Sequence, residues 1–155
     1  MIADNLLAYI AANQVDAILW AAGSALRPIQ NFSNSVAART TPVYPAIMFA
    51  SDQDAQDYTE DELGIAYQLT FEVMIQNADP NNAVTEARSY EAAIKSMIRN
   101  CPPSTASANT GAITAATVLQ TIESQFDEIK SNDTQTDFLQ TFQMRMVYTL
   151  TAANQ

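Results

Sequence analysis

Carboxylates are the main groups that could do chemistry in this chain, because its 155 residues include no histidine and a single cysteine, Cys101. Without histidine the chain lacks the usual general base and the commonest transition-metal ligand. A nucleophilic Cys101 would need such a base beside it, so we interpret this residue as an apolar cap on a helix end. The three glycines, Gly23, Gly64 and Gly111, are too dispersed to form a phosphate-binding loop.

The densest group of carboxylates lies in residues 51–62, "SDQDAQDYTEDE", which hold six acids and no base. We predict an exposed loop or hairpin extension here. A calcium site is the alternative, since Asp52, Asp54 and Asp57 are close together. The EF-hand pattern requires glycine at its sixth place and glutamate at its twelfth, where this chain has Asp57 and Leu63. The spacing therefore favours a solvated acidic segment over a metal site.

We interpret the other carboxylate pairs, Asp127 with Glu128 and Asp133 with Asp137, as lying in turns and loops. General acid–base catalysis needs carboxylates held in a pocket that separates their pKa values, and turns are normally solvated. We therefore expect a protein that is not an enzyme, with no catalytic, cofactor-binding or metal-binding residues and no cofactor.

The charge pattern argues against nucleic acid and membrane surfaces as partners. The net charge is −10, from 17 acidic and 7 basic residues, and the basic residues form no patch. Only 15% of residues are charged, against about 25% in typical soluble proteins. Amides and hydroxyls must therefore build much of the surface, and they cost less to bury than ions do. This hints at an assembled protein, although a merely amide-rich surface explains it equally well.

The length predicts one domain, residues 1–155, with a real core. The first 23 residues have no basic leader and are interrupted by Asp4 and Asp16, so we expect neither a signal peptide nor a membrane-spanning helix. The expected product is soluble and made in a cytoplasm.

The first half of the chain predicts a helix from Ile2 to Ala22, an irregular stretch over 24–42, and a short strand over 45–50. The segment "AYQLTFEVMIQNADP", residues 66–80, then alternates apolar and mostly polar residues, as in a strand with one covered face. The apolar set is Tyr67, Leu69, Phe71, Val73 and Ile75, and the other set is Gln68, Thr70, Glu72, Met74 and Gln76.

The second half predicts a helix that begins at Asp79-Pro80 and ends before Cys101. A small-residue loop follows over 102–112. Residues 114–129 fit a helix or a strand, and their β-branched content favours the strand. A turn over 130–137 precedes a final alternating strand, "FLQTFQMRMVYTLTA".

Together these elements predict an α+β fold: a single antiparallel sheet, with a mixed edge possible, and two helices packed on one face. The expected order is helix, strand, strand, helix, strand, strand. We expect the two strands before the second helix to pair as a hairpin, and the two strands at the end to do the same.

Three stretches in this order resemble the tail terminators of long-tailed bacteriophages and, more broadly, head-to-tail joining proteins. They are "AIMFASDQDAQDYTEDELGIAYQLTFEVMIQNADPNN", the helix "AVTEARSYEAAIKSMI", and "ESQFDEIKSNDTQTDFLQTFQMRMVYTL". The N-terminal helix also fits, so the resemblance covers most of the chain. The resemblance lies in the order and general character of the elements, since the family has no catalytic motif to match.

The resemblance implies a structural virion protein that forms a ring, expected to be a hexamer, at the head-proximal end of the tail. Such rings cap the tail tube, stop its polymerisation and bind neck or connector proteins. DNA would pass through without specific binding, and a net negative charge suits such a channel because it repels phosphates. Assembly would take place in the host cytoplasm, with no membrane partner.

Other interpretations stay open, namely another neck, connector or tube subunit, or a small non-enzymatic binding module. An enzyme is the least favoured. For a subunit that joins copies of itself, we predict an interface formed by the acidic segment and the polar side of the long strand: Asp52, Asp54, Asp57, Glu60, Asp61, Glu62, Gln68, Thr70, Glu72 and Gln76.

Overall fold

The structure is a computed structural model that describes residues 2–14, 27–33, 44–55, 64–106, 117–131 and 137–151. These residues form an α+β fold in which three helices accompany a mixed six-stranded sheet. The elements in chain order are α1 (Ile2–Asn13), β1 (Asn31–Ser33), β2 (Ala46–Ala55), β3 (Gly64–Asn77), α2 (Pro80–Asn100), α3 (Pro103–Ala106), β4 (Thr117–Phe126), β5 (Lys130–Ser131) and β6 (Phe138–Thr151).

The sheet has the strand order β1-β2-β3-β6-β4, and β5 pairs with the start of β6. Its centre is the antiparallel pair β3 and β6, which runs without a register break from Gly64 opposite Thr151 to Asn77 opposite Phe138. Each strand has 14 residues, well above the usual five or six. The two longest strands of the described chain therefore form the middle of the sheet, although α2, α3, β4 and β5 lie between them in sequence.

The predicted alternation in β3 is confirmed by burial. Leu69, Phe71, Val73 and Ile75 are completely buried against the helices, together with residues of β6. The helices supply the opposite side of this core through α1 residues such as Leu6 and through a stripe on α2. The buried α2 residues are Ala83, Ala87, Tyr90, Ala93, Ile94, Met97 and Ile98.

Helix α2 begins where the sequence predicts. The Asp79 carboxylate accepts hydrogen bonds from the backbone N–H groups of Asn81 at 2.8 Å and Asn82 at 3.3 Å. Pro80 occupies the first turn, where its missing N–H costs nothing. Cys101 caps the other end, and its N–H donates to the carbonyl of Ile98.

Hydrogen bonds with the side chain of Gln14, which directly follows α1, hold residues 27–33 in place. The buried amide of Gln14 accepts a hydrogen bond from the Ile29 N–H at 2.6 Å and donates one to the Ile29 carbonyl at 3.1 Å. Both backbone groups of Ile29 are therefore paired, as buried backbone groups require.

The predicted order of elements is wrong in three places. A parallel strand, β1, forms within the predicted irregular stretch over 24–42 and lies at one edge of the sheet, so the sheet is mixed at that edge, as the fold prediction allows. A short helix, α3, forms at the start of the predicted loop over 102–112, and β5 forms at the start of the predicted turn over 130–137. These elements are too short, at two to four residues, to show a periodic pattern.

Residues 51–55 continue β2 and are therefore part of a strand. This agrees with a hairpin extension and excludes a loop for these five residues. Acidic residues do not by themselves favour a strand. Pairing with β3 supplies the backbone hydrogen bonds that stabilise these residues as a strand. The predicted hairpin of β2 with β3 is confirmed, and so is the antiparallel pairing of the two final long strands, β4 and β6. The ends of the predicted first helix (15–22), acidic segment (56–62), loop (107–112) and turn (132–136) lie outside the described residues.

Candidate functional site

The sheet has a second face that the described helices do not cover, and we call it the open face. Its β3 residues Gln68, Thr70, Glu72 and Gln76 are half-buried. The register places them beside residues of β6 and β4 whose exposure increases toward the edge strand. The other members of the open face are Thr141, Gln143, Arg145 and Val147 on β6, and Thr121, Glu123 and Gln125 on β4.

Amides and hydroxyls dominate the open face. One ion pair crosses it, between Arg145 Nη2 and Glu123 Oε2 at 2.7 Å, and both side chains are at least half exposed. Such a surface pair contributes little to stability. At the end of β3, Gln76 Nε2 donates to the Asp137 carboxylate at 3.0 Å. The open face is therefore suited to hydrogen bonding with another polar surface rather than to binding an ion.

The predicted interface residues divide into three groups. Gln68, Thr70, Glu72 and Gln76 all lie on the open face. The register then pairs Asp52 with Leu69 and Asp54 with Tyr67. The remaining four, Asp57, Glu60, Asp61 and Glu62, lie outside the described residues.

A register shift between Phe49 and Ser51 explains the position of the two aspartates. One extra residue in β2 shifts the pairing register with β3 by one for every residue after it. As a result Ser51 and Gln53 of β2, rather than Asp52 and Asp54, are opposite Thr70 and Gln68.

One end of the open face is apolar. Ala46, Met48 and Met74 are buried there, and Tyr44 and Leu139 pack against them partly buried. The sequence pattern assigned Met74 to the mostly polar side of β3 without identifying this second cluster. The signal that could have revealed it is the recurrence of Ala46 and Met48 at period two in the neighbouring strand.

A cavity of about 620 Å³ lies on the helix side of the sheet, between the end of α2, helix α3 and strands β4 and β6. Cys101 and Tyr148 contribute to its wall. The side chain of Tyr148 is 3% exposed, and its hydroxyl has no hydrogen-bond partner among the described residues. An unpaired buried hydroxyl costs about 1–3 kcal/mol, so this group is unusual in a folded protein.

Burial controls the ionisation of both groups in the cavity wall. Desolvation raises the pKa of the Cys101 thiol to about 11, so the thiol is protonated near neutral pH and is a poor nucleophile. Desolvation also raises the pKa of Tyr148, and the neighbouring Cys101 raises it further. Sequence reasoning missed this cavity, because no local pattern predicts that residues 98–106 lie against β4 and against Tyr148 of β6.

Groups that could hold a metal or catalyse proton transfer are sparse in the part of the chain that the structure describes. There, no cluster of three or more His, Cys, Asp or Glu side chains could coordinate a metal ion. Glu128 is exposed, and Asp137 is bound to Gln76. No helix in the same residues is long and apolar enough to cross a bilayer.

No protein-family model matches the sequence, and no curated protein matches it. Among solved structures, the chain is similar to one described as the virion of a native gene transfer agent particle. The match has 16% sequence identity, covers 90% of this chain and 87% of the other, and has a TM-score of 0.38. A TM-score of this size does not establish a shared fold, so the likeness carries no argument about function.

Proposed function

We propose that this protein is a structural virion subunit, a tail terminator whose copies form a ring that caps the tail tube. The proposed ring stops polymerisation of the tube and joins the tail to the head connector. The observation that carries the proposal is the open face, a long, mostly uncharged polar sheet surface with one apolar end. The resemblance in element order described above supports the same assignment.

The energetics of the open face favour contact with protein. Half-buried amides and hydroxyls such as Gln68, Thr70 and Gln143 can exchange water for partners at a smaller cost than charged side chains. At one end, the partly buried Tyr44 and Leu139 add apolar area beside the buried Met48 and Met74. A ring closes through one such surface on each subunit meeting a different surface on its neighbour.

The chemistry of the described residues supports a structural role over a catalytic one. Cys101 carries a raised pKa and has no histidine beside it, since the sequence contains none. In this proposal the protein is not an enzyme, needs no cofactor, and acts by binding copies of itself, the tail tube and the connector.

The test is a capping assay with purified tail tube protein from the same virus. Added to polymerising tubes, this protein should stop elongation and appear as a ring at one tube end in negative-stain micrographs. Co-polymerisation into the tube would instead indicate a tube subunit. Tubes that elongate normally, with no bound protein, would contradict the proposal.

The acidic segment provides a second arm of the same assay. We expect it to contact a neighbouring ring or subunit, so a variant with neutral residues should fold normally and cap poorly. The substituted residues are Asp52, Asp54, Asp57, Glu60, Asp61 and Glu62. Glu128→Gln is the matched control, since Glu128 is an exposed carboxylate outside that segment. If the neutral variant capped tubes fully, the acidic segment would not be part of the interface.

A further inference from the structure

Strand β4 is an edge strand of the sheet that the structure describes. Asp127, which directly follows β4, donates its N–H to the Thr141 carbonyl of β6 at 2.9 Å. Because backbone groups in an antiparallel pair point alternately toward and away from the partner strand, those of Ile122, Ser124 and Phe126 point away from β6. They have no backbone partner among the described residues. Such a row of unpaired groups is a template for another strand.

The outer side of β4 is accessible and lacks the usual protection of an edge. The cavity beside α3 is lined by Ile122 from the helix side of the strand and by Thr121 and Glu123 from the open face, so it reaches round the outer edge of β4. The strand "TVLQTIESQF" contains neither the lysine nor the proline that commonly blocks pairing between edges. The edge can therefore accept a further strand.

Basic residues lie beside this edge, although the chain as a whole is acidic. The Arg88 guanidinium lies 5.0 Å from the centre of the Phe126 ring, and the exposed Arg99 lines the cavity along β4. Neither guanidinium forms an ion pair with a described residue. Two carboxylates of this flank are already held in ion pairs, Glu91 with Lys95 and Glu123 with Arg145. An acidic strand laid along β4 would therefore supply counter-charges that this edge lacks.

The opposite edge of the sheet offers such a strand. β1 pairs with only the first residues of β2, so the end of β2, Ser51–Ala55, has no partner on its outer side among the described residues. This stretch contains Asp52 and Asp54 and no basic residue. Asp52 is the register partner of the buried Leu69, which assigns it to the side of the sheet that α2 covers. The acids of one edge and the basic residues of α2 thus belong to the same side of the sheet.

We propose that Ser51–Ala55 of one copy pairs antiparallel with β4 of the next copy, so that the sheet continues across the subunit boundary. This inference rests on the proposed ring and names the contact that closes it. β2 runs antiparallel to β4 within one chain, and the copies of a ring share one orientation, so the two edges meet antiparallel. Pairing of β4 with a second β4 would instead bring two basic flanks together.

Exchanging the charges of the two edges tests the pairing. Asp52→Arg/Asp54→Arg leaves both edges basic, and Arg88→Glu/Arg99→Glu leaves both edges acidic. Each variant alone should self-associate at least about tenfold more weakly than the unmodified protein in sedimentation velocity, because like charges meet. Mixed in equal amounts, the two variants should recover assembly to within about threefold of the unmodified protein, since acidic edges then meet basic edges in an alternating ring.

A second pair of variants tests the backbone contact. Ser124→Pro removes an N–H from the outer edge, whereas Ser124→Ala keeps that N–H and removes the hydroxyl that donates to Glu91. With folding checked by circular dichroism, Ser124→Pro should lose assembly and Ser124→Ala should keep it. The charge exchange gives the answer by itself if Ser124→Pro does not fold.

The outcomes separate the edge pairing from the proposed ring. If the unmodified protein forms rings and caps tubes while the charge variants assemble alone, or stay apart when mixed, the pairing is wrong and the ring stands. Equal assembly of folded Ser124→Pro and Ser124→Ala would also exclude the pairing. An unmodified protein that stays monomeric would overturn both the pairing and the ring.

Discussion

The hydroxyl of Tyr90 donates a hydrogen bond to the backbone carbonyl of Arg27, joining the middle of α2 to the segment that precedes β1. The Arg27 guanidinium in turn lies 2.8 Å from the Gln76 carbonyl oxygen and 3.2 Å from the Glu86 carboxylate. One residue thus links three parts of the chain: the segment before β1, the end of β3 and the first half of α2.

Removing the Tyr90 hydroxyl should destabilise the fold. We expect Tyr90→Phe to lower the free energy of unfolding by about 1–2 kcal/mol, because it leaves the Arg27 carbonyl without this donor. The measurement is urea unfolding followed by circular dichroism. Tyr148→Phe is the comparison and should leave stability unchanged or raise it, since it removes a buried hydroxyl that has no partner among the described residues. An equal loss in both variants would contradict this account.

Stability should also fall at alkaline pH. Burial raises the pKa of Tyr90 from 10.0 to about 12 and that of Cys101 from 9.0 to about 11, and it raises the pKa of Tyr148. These groups ionise more readily in the unfolded chain, so their contribution is complete below about pH 9 and is lost as pH rises from 9 to 12.

Urea midpoints measured between pH 8 and pH 11.5 test this expectation. The midpoint should be steady at first and then fall. In the variant Cys101→Ala/Tyr148→Phe the alkaline decline should be shallower. A midpoint that rises above pH 9, or a decline of unchanged steepness in the variant, would refute the assignment to these groups.

The start of α2 offers a third prediction. Asp79→Ala should cost about 1 kcal/mol in urea unfolding, because two backbone N–H groups lose their acceptor. Asp79→Asn keeps an oxygen in the same place and should cost clearly less. If both substitutions had the same effect, the carboxylate would not be acting as the helix cap.

Local patterns in the sequence predicted the elements that are long and regular. The alternation from Leu69 to Ile75 identified β3 and its buried side, and Asp79-Pro80 located the start of α2. Both signals are local, because neighbouring residues determine the side-chain period and the cap.

Elements fixed by distant pairing were missed. β1 spans Asn31–Ser33 and depends on backbone pairing with β2 rather than on its own pattern. For the continuation of β2 through Ala55 the sequence left a loop and a hairpin extension open, because acidic residues do not signal the pairing with β3 on which this part of the strand relies. The predicted interface shows the same limit. The local alternation was enough to assign four residues to one side of β3: Gln68, Thr70, Glu72 and Gln76. The register shift that separates Asp52 and Asp54 from them depends on the pairing of two strands and could not be predicted.

The open face should be required for assembly if the proposed ring exists. Gln68→Arg places a charge at a half-buried position on that face and should weaken self-association at least about tenfold, since burying an unpaired charge is costly. Ala92→Arg is the control, because Ala92 is exposed on α2, on the other side of the sheet. Sedimentation of both variants gives the answer, and equal weakening would exclude the open face as the specific contact.

The most direct test of the central proposal is the mass of the purified protein in solution. Light scattering combined with size-exclusion chromatography should give a species near six times the 16.9 kDa chain mass, and negative-stain images of that fraction should show closed rings. A stable monomer at high concentration that also fails to bind tail tubes would contradict the account.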